Sequence, residues 1–550
     1  MAWSRADLLA GPRHYVVELT VGSRRLYFSH EALDITKADG SVVHVAAGLI
    51  ADIDATRALK IQQTSVPLKS VSMSIITQLE DWAAMVVAGW DLAAGEGELS
   101  EWIPGRTWEE RRILVKGLLD APTYGALGEA LSFSLKNHPM QDRSQLPAST
   151  AVVDSVTWPD ANSHAMGRTY PTVIGKPGTL QRFMTTGLPT SQRFAGSPAL
   201  MVDGLNGILL IAGHEVEATT VQVADMTNAP FTWTTQSVVH RTDGRGRKVA
   251  TVTLSPVPLS PGEYHVCWGY SGAGGGLYDK TRSRSMRSAG DVLAYLFEQS
   301  TLQIDRGRTA AAAELLQGYL IDCYIDEPVN VWEWIQGNLL PVLPVSIRYG
   351  SDGLYPVVWR SVIEDEQGAM LQLLNADDGD VVRLGVVSTS STLHGDLTNT
   401  IRISYGTESF AGEHRGAYLL HGDPDNITNG PTSASSRITR VSVSRFGEFP
   451  TDLVTDVVWD PSTAAAVAYQ VALRSALPVR RINYLCPQSF GWLEEGSGVQ
   501  VTDTELSLSQ VFGLVSEIEA LDDSSVRVEV TLLDPVVRNC PVRIAPLQTD

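Results

Sequence analysis

Four cations stand within eight positions at Lys280, Arg282, Arg284 and Arg287. Cations at that density can neutralise phosphates or meet an acidic protein face, and left alone they form a solvated loop. The sequence reading takes them as the tight basic cluster of the chain and as its candidate inter-subunit or DNA contact. Just upstream, residues 272–276 read GAGGG. A phosphate-cradling loop would end in Gly-Lys-Ser/Thr and lead into a helix N-terminus, but here a charged loop follows, so a flexible hinge is expected. Residues 375–380 (NADDGD) are rich in oxygen ligands, yet they lack EF-hand spacing and a closing Glu, which leaves a polar turn. His265 and Cys267 share one face of a strand without a further ligand pair nearby. The cysteines, Cys267, Cys323, Cys486 and Cys540, are all more than 50 residues apart. That spacing suggests neither a zinc knuckle nor a disulfide framework, and buried thiols are expected. No GxSxG elbow or HExxH helix occurs. The expectation is therefore no catalytic residue, no cofactor and no metal.

The elements that would position these residues follow from composition and pattern. The chain has 550 residues, 43% apolar and 19% charged, too long for one core and too apolar for disorder. Lys and Arg number 42 against 62 Asp and Glu, a net charge of −20. Such a balance speaks against coating nucleic acid and against a polybasic membrane anchor. There is no run of 18 apolar residues and residues 1–12 carry no signal-peptide core, so assembly in the cytoplasm without stable membrane insertion is expected.

The fold class expected is mainly β with an α+β insert, in four parts. Residues 1–145 form a β-rich, barrel-like domain with strands at 14–21, 25–29, 33–36, 42–45, 66–76, 112–119 and 129–136, and a helix at 80–88. Residues 146–287 form a second β-rich domain with strands at 207–212, 217–223, 248–254 and 262–270. Residues 288–395 form an α/β domain. Its first helix spans 288–299, with Ser288 and Asp291 as an approximate capping box; further helices lie at 309–316 and 330–340, and a hairpin turns on Asp352-Gly353. Residues 396–550 form a C-terminal barrel-like domain with strands at 399–405, 498–502, 513–520 and 526–533 and one long helix at 461–477. The 13 Trp residues raise the possibility of sugar stacking, but Trp82, Trp90, Trp102 and Trp108 lie near apolar or helical segments and read as core.

This arrangement resembles a known family. Residues 288–305 (SAGDVLAYLFEQSTLQID), 319–334 (YLIDCYIDEPVNVWEW) and 339–359 with its Asp-Gly turn look like the α/β domain of phage baseplate hubs and of the base of type VI secretion spikes. Residues 399–405 (NTIRISY), 460–478 and 496–501 (GSGVQV) resemble the central tail-tip proteins of long-tailed phages and gene transfer agents, with Gly498-Val499 where the family commonly has Gly-Asp. The resemblance implies a homotrimeric structural hub at the tail tip in the virion. Its two barrels per chain would make a pseudo-six-fold ring against the tail tube and distal tail proteins, and its other face would take a tip fibre or spike while genomic DNA passes through. A tail-borne cell-wall hydrolase and a receptor- or carbohydrate-binding protein are the competing expectations.

Overall fold

The computed structural model describes residues 14–49, 57–58, 70–76, 87–88, 95–120, 123–124, 130–137, 144–178, 196–227, 231–257, 262–268, 274–280, 283–350, 353–358, 372–378, 381–385, 397–408, 413–422, 433–487, 490, 493, 498–520 and 525–532. Most of the helix expected at 80–88 and the whole of 533–550 lie outside them. The fold is mainly β with an α/β core, as the sequence implies.

The N-terminal strands form one sheet in the order Leu33–Thr36, Val42–Ala47, Arg24–Ser29, His14–Val21, Glu96–Trp102, Arg112–Leu119, Ala130–Asn137 and Ser70–Ile76, with Thr123–Tyr124 added beside Ala130–Asn137. The sheet curls back on itself at Gly48 and Leu49. Both amides donate to the Ser29 carbonyl at 2.9 Å, while the Ile76 amide donates to the Gly48 carbonyl at 2.6 Å. Side chains alternate across the strand, as the pleat requires. Val17, Leu19 and Val21 join Leu99, Phe133 and Leu135 inside. Val16 faces the other way and packs with Ile35, Val43, Val45, Trp102 and Trp108, where the Leu33–Thr36 hairpin folds over. The central strand Glu96–Trp102 has no counterpart in the sequence reading. Its glutamates hide the pattern, since Glu98 and Glu101 are buried beside Arg111 and Arg112 at 2.7 and 4.0 Å.

The second β unit is a closed six-stranded antiparallel barrel, Ser197–Asp203, Ile208–Ala212, Lys248–Thr253, Thr234–Thr242, Thr220–Asp225 and Tyr264–Cys267. Its filling includes Leu209, Ile211, Val221, Val252, Val266 and the fully buried Trp268. Closure leaves it no free edge. Two of its strands, Ser197–Asp203 and Thr234–Thr242, were not foreseen. The latter (TTQSVVHRT) is polar because much of it faces outward.

The α/β core joins segments distant in sequence. Helices Ala289–Gln299 and Arg306–Leu315 pack together so closely that a Cβ on Gly290 would lie 2.4 Å from the Ala313 Cα. Asp305 caps the second helix by accepting from the Arg308 amide, and Asn330 caps Val331–Trp334 by accepting from the Glu333 amide; that helix continues as a π turn over Ile335–Leu339. The hairpin Val345–Gly350 with Gly353–Val358 follows. The same apolar core continues through Ile401, Ile403, Tyr405, Ile438, Val467 and Leu473. Those residues belong to a four-stranded sheet (Ser433–Ser435, Glu413–His421, Thr400–Glu408, Pro450–Val454) and to helices Arg437–Phe446 and Pro461–Ser475.

A separate sheet closes the chain, in the order Gln372–Asn375, Gly498–Asp503, Leu508–Ala520, Ser525–Leu532, Arg480–Pro487 and Val382–Gly385. Its two edge strands are joined by residues 376–381, so the sheet is rolled, with Tyr484, Cys486, Val501, Val515 and Val528 inside. Arg57–Ala58 pair with Glu517 and Ile518, adding a piece of the N-terminal unit to this sheet.

Candidate functional site

The basic segment lies where the closed barrel meets the α/β core. Two short ladders stitch the units together: Gln145–Leu146 with Val329–Asn330, and Thr172–Ile174 with Cys323–Ile325. The Tyr324 hydroxyl donates to the Pro198 carbonyl at 2.7 Å, tying the core to the barrel wall. Asp322 sits at the centre of the joint with no exposure. It accepts from the Lys176 amide at 2.7 Å and, in bidentate fashion, from Arg287 Nε at 2.6 Å and Nη2 at 2.9 Å.

The glycine run is part of this joint. Gly275 donates to Glu217 at 3.1 Å and Gly276 donates to the Gly175 carbonyl at 2.7 Å. A Cβ would come within 2.6 Å of the Gly175 carbonyl oxygen from Gly275, and within 2.3 Å of the Val173 carbonyl oxygen from Gly276. The expectation of a flexible hinge is therefore corrected over Gly274–Gly276. These glycines allow two backbones to touch rather than supplying freedom. The capping box expected at Ser288 and Asp291 is corrected too. Ser288 occupies the N-cap position without a side-chain cap bond, and Asp291 meets Arg284 at 3.3 Å instead.

Each described member of the predicted cluster meets a carboxylate. Lys280 lies 2.6 Å from Glu215, which also receives Lys248 at 3.0 Å. The hydrogen bond from Lys280, with that from Lys248, holds the Glu215 carboxyl down at about 2. Arg284 serves Asp291 and Arg287 serves Asp322, while Arg282 lies outside the described residues. Lys280 and Arg284 keep side chains 69% and 45% exposed, so part of each charge faces outward.

Sequence reasoning missed a second basic cluster that the structure places beside Lys280. Residues 241–248 (RTDGRGRK) carry Arg241, Arg245, Arg247 and Lys248, again four cations in eight positions. The signal was legible, but the Asp243-Gly244 pair drew attention only as a turn. Asp243 organises that turn by accepting from the Arg245 and Arg247 amides at 2.9 and 2.8 Å and from the Tyr170 hydroxyl at 2.9 Å. Arg245 meets Asp154 at 2.5 Å. Arg241 lies across the barrel wall on the Thr251 and Thr253 hydroxyls at 3.2 and 3.3 Å, and Arg247 stands 6.0 Å from the Tyr170 ring.

The other sequence candidates settle into structural places. Asp377, within the polar turn Ala376–Asp378, accepts from the Thr504 amide and hydroxyl at 3.1 and 3.0 Å. Cys267, Cys323 and Cys486 are buried free thiols, and burial pushes Cys323 upward and Cys486 up to about 12, which suppresses thiolate chemistry. Cys267 donates to the Gly178 carbonyl, while His265 Nδ1 lies 3.2 Å from that of Gly196. Trp102 and Trp108 are core residues, and Arg111 stacks 4.0 Å over the latter ring. Trp82 and Trp90 lie outside the described residues. Among the described residues no helix is long and apolar enough to cross a membrane.

No family model matches the chain, and no curated protein matches it in sequence. Several solved structures are similar in shape. A tail protein from Neisseria meningitidis MC58 is 11% identical, with 95% of this chain and 98% of that one covered at a TM-score of 0.34. A chain of the native gene transfer agent virion is 12% identical, with 72% of this chain and 92% of that one covered at 0.36. The 43 kDa tail protein of prophage MuSo2 from Shewanella oneidensis is 11% identical, with 95% and 100% covered at 0.30.

Proposed function

We propose that the chain is a structural hub at the distal end of a phage or phage-like tail, without a catalytic step of its own. Three copies would close the tail tube, seat a tip fibre or spike, and open for genomic DNA. The observation that carries this reading is that one chain holds two large curled sheets. The N-terminal sheet curls shut at Gly48–Leu49, and the C-terminal sheet places its consecutive strands Gln372–Asn375 and Val382–Gly385 at its two edges. Two such sheets per chain are what a three-chain ring with six barrel positions needs. Rolled and closed sheets also suit a subunit packed among other β-rich subunits, because few edges remain open to wrong pairing.

The test is location. An affinity tag on the chain should mark one end of purified tails by electron microscopy, with no clearing of peptidoglycan by the purified chain. Label along the tail shaft or none on tails contradicts the hub reading. Clearing of peptidoglycan favours the hydrolase instead.

A further inference from the structure

We infer that the joint between the closed barrel and the α/β core is an acid-sensitive clasp, held shut by the neutral ring of His214 and loosened when that ring takes up a proton. Such a device is independent of where the chain sits in a tail.

The strand Thr172–Ile174 couples the two units. On one side it pairs with Cys323–Ile325 of the core. On the other side the Gly213 amide, at the end of a barrel strand, donates to the Pro171 carbonyl at 2.7 Å, and the Leu277 amide donates to the Val173 carbonyl at 2.7 Å. A Cβ on Gly213 would lie 2.7 Å from that of Tyr170, so the segments are in close contact. The Val173 amide donates to a side chain, His214 Nε2, at 3.0 Å. The other ring nitrogen, Nδ1, lies 2.9 Å from the Glu215 carbonyl. A backbone amide only donates and a carbonyl only accepts, so these two bonds fix one neutral tautomer, with its proton on Nδ1. A second proton, on Nε2, would set two N–H groups against each other and leave the buried Val173 amide without its acceptor. His240 repeats the arrangement close by, its Nε2 accepting from the Val216 amide at 3.2 Å.

The surrounding groups set the sign of the response. Burial pushes the His214 ring down to about 4; the bond to the Glu215 carbonyl pulls the other way, and His240 lowers it further. An opened joint returns the ring to its ordinary 6.5, so opening takes up a proton between 6.5 and 4 and becomes easier as pH falls through that window. The neighbouring groups do not reproduce this. Glu215 is held near 2 by Lys280 and Lys248, and Glu217 accepts from the Gly275 amide. On the core side of the linking strand, burial raises both the Tyr324 hydroxyl and the Asp326 carboxyl, with Arg168 opposing each shift. A raised carboxyl acts with the opposite sign, because its folded form holds the proton longer. The Arg287–Asp322 pair lies past the other end of the strand, at Lys176.

The experiment is amide hydrogen exchange of the full chain by mass spectrometry at pH 7 and pH 5, corrected at each pH for the intrinsic exchange rate. In wild type the opening constant of residues 171–174 should rise about twentyfold on going to pH 5, the factor that ring values of 6.5 open and about 4 closed require. The barrel strands Ile208–Ala212 and Lys248–Thr253 should keep their protection over the same step. His214→Gln offers the Val173 amide an acceptor that cannot take up a proton, and its segment 171–174 should respond no more than the barrel strands do. Exchange of the His214 Cε1 hydrogen in wild type reads the ring's own titration without any variant, and it should fall well below 6.5. Equal protection of 171–174 at both pH values overturns the proposal. So does a rise that His214→Gln retains, a loss shared equally by the barrel strands, or a His214 ring that titrates at 6.5 or above.

Discussion

Asp322 shows how much one buried carboxylate can hold together. It joins the loop before the barrel, the basic segment and the α/β core through Lys176 and Arg287. Removing one member of a buried ion pair leaves the other charged and dry, at a cost of about 3–5 kcal/mol. Asp322→Ala should destabilise the chain by about that amount in calorimetry, and Arg287→Ala should do nearly the same. The pH responses of two glutamates have opposite signs. Burial, with Glu98 directly across the sheet, raises Glu18 despite Arg111 and Arg25. Its folded form holds the proton longer than the unfolded one, so stability falls as pH rises above the ordinary 4.5. Glu18→Gln should be more stable than wild type at pH 7, and the gain should vanish below pH 4.5. Glu215, held near 2 by Lys280 and Lys248, contributes stability above 4.5 that is lost as pH falls towards 2. Glu215→Gln should therefore melt lower than wild type at pH 7 and alike at pH 2. A denaturation series against pH reads both. At this scale the sequence showed the cations but not their partners. Arg287 and Asp322 are 35 residues apart, and only the fold brings them together.

At the scale of elements, local chemistry was legible where pattern and caps agreed. An Ala-rich run announces the helix Pro461–Ser475, and the structure adds its cap, Asp460 accepting from the Thr463 amide at 2.8 Å. Asp460→Ala should lower stability by about 1 kcal/mol. Helix Arg437–Phe446 (RITRVSVSRF) has no counterpart in the sequence reading, because its β-branched residues favour strand over helix. Its reciprocal cap decides otherwise: the Thr439 amide donates to Ser436 Oγ and the Ser436 amide donates to Thr439 Oγ1, both at 3.1 Å. Strand Glu96–Trp102 was hidden by glutamates whose burial depends on Arg111 and Arg112, where the next strand begins. Close packing was equally invisible. Gly290 is needed because Ala313 presses on it, so Gly290→Val should cost about 1–3 kcal/mol as an overpacked helix pair, measurable by urea unfolding.

At the scale of the whole molecule, the sequence conveyed the class, mainly β around an α/β insert, because strand alternation and helix caps are local. It could not convey which distant strands share a sheet. Gln372–Asn375 and Val382–Gly385 reach across to 480–532, while Thr400–Glu408 turns back to the core of 289–358. Those pairings follow from burial of long-range apolar surface, which leaves no mark at fixed spacing. We propose that the two curled sheets of each chain fill two of six positions in a ring of three chains. The most direct measurement is the symmetry of the assembled full-length chain by electron microscopy. The account predicts three-fold particles with six similar barrel densities on one face. A monomer, or a ring without that pseudo-six-fold face, would contradict it.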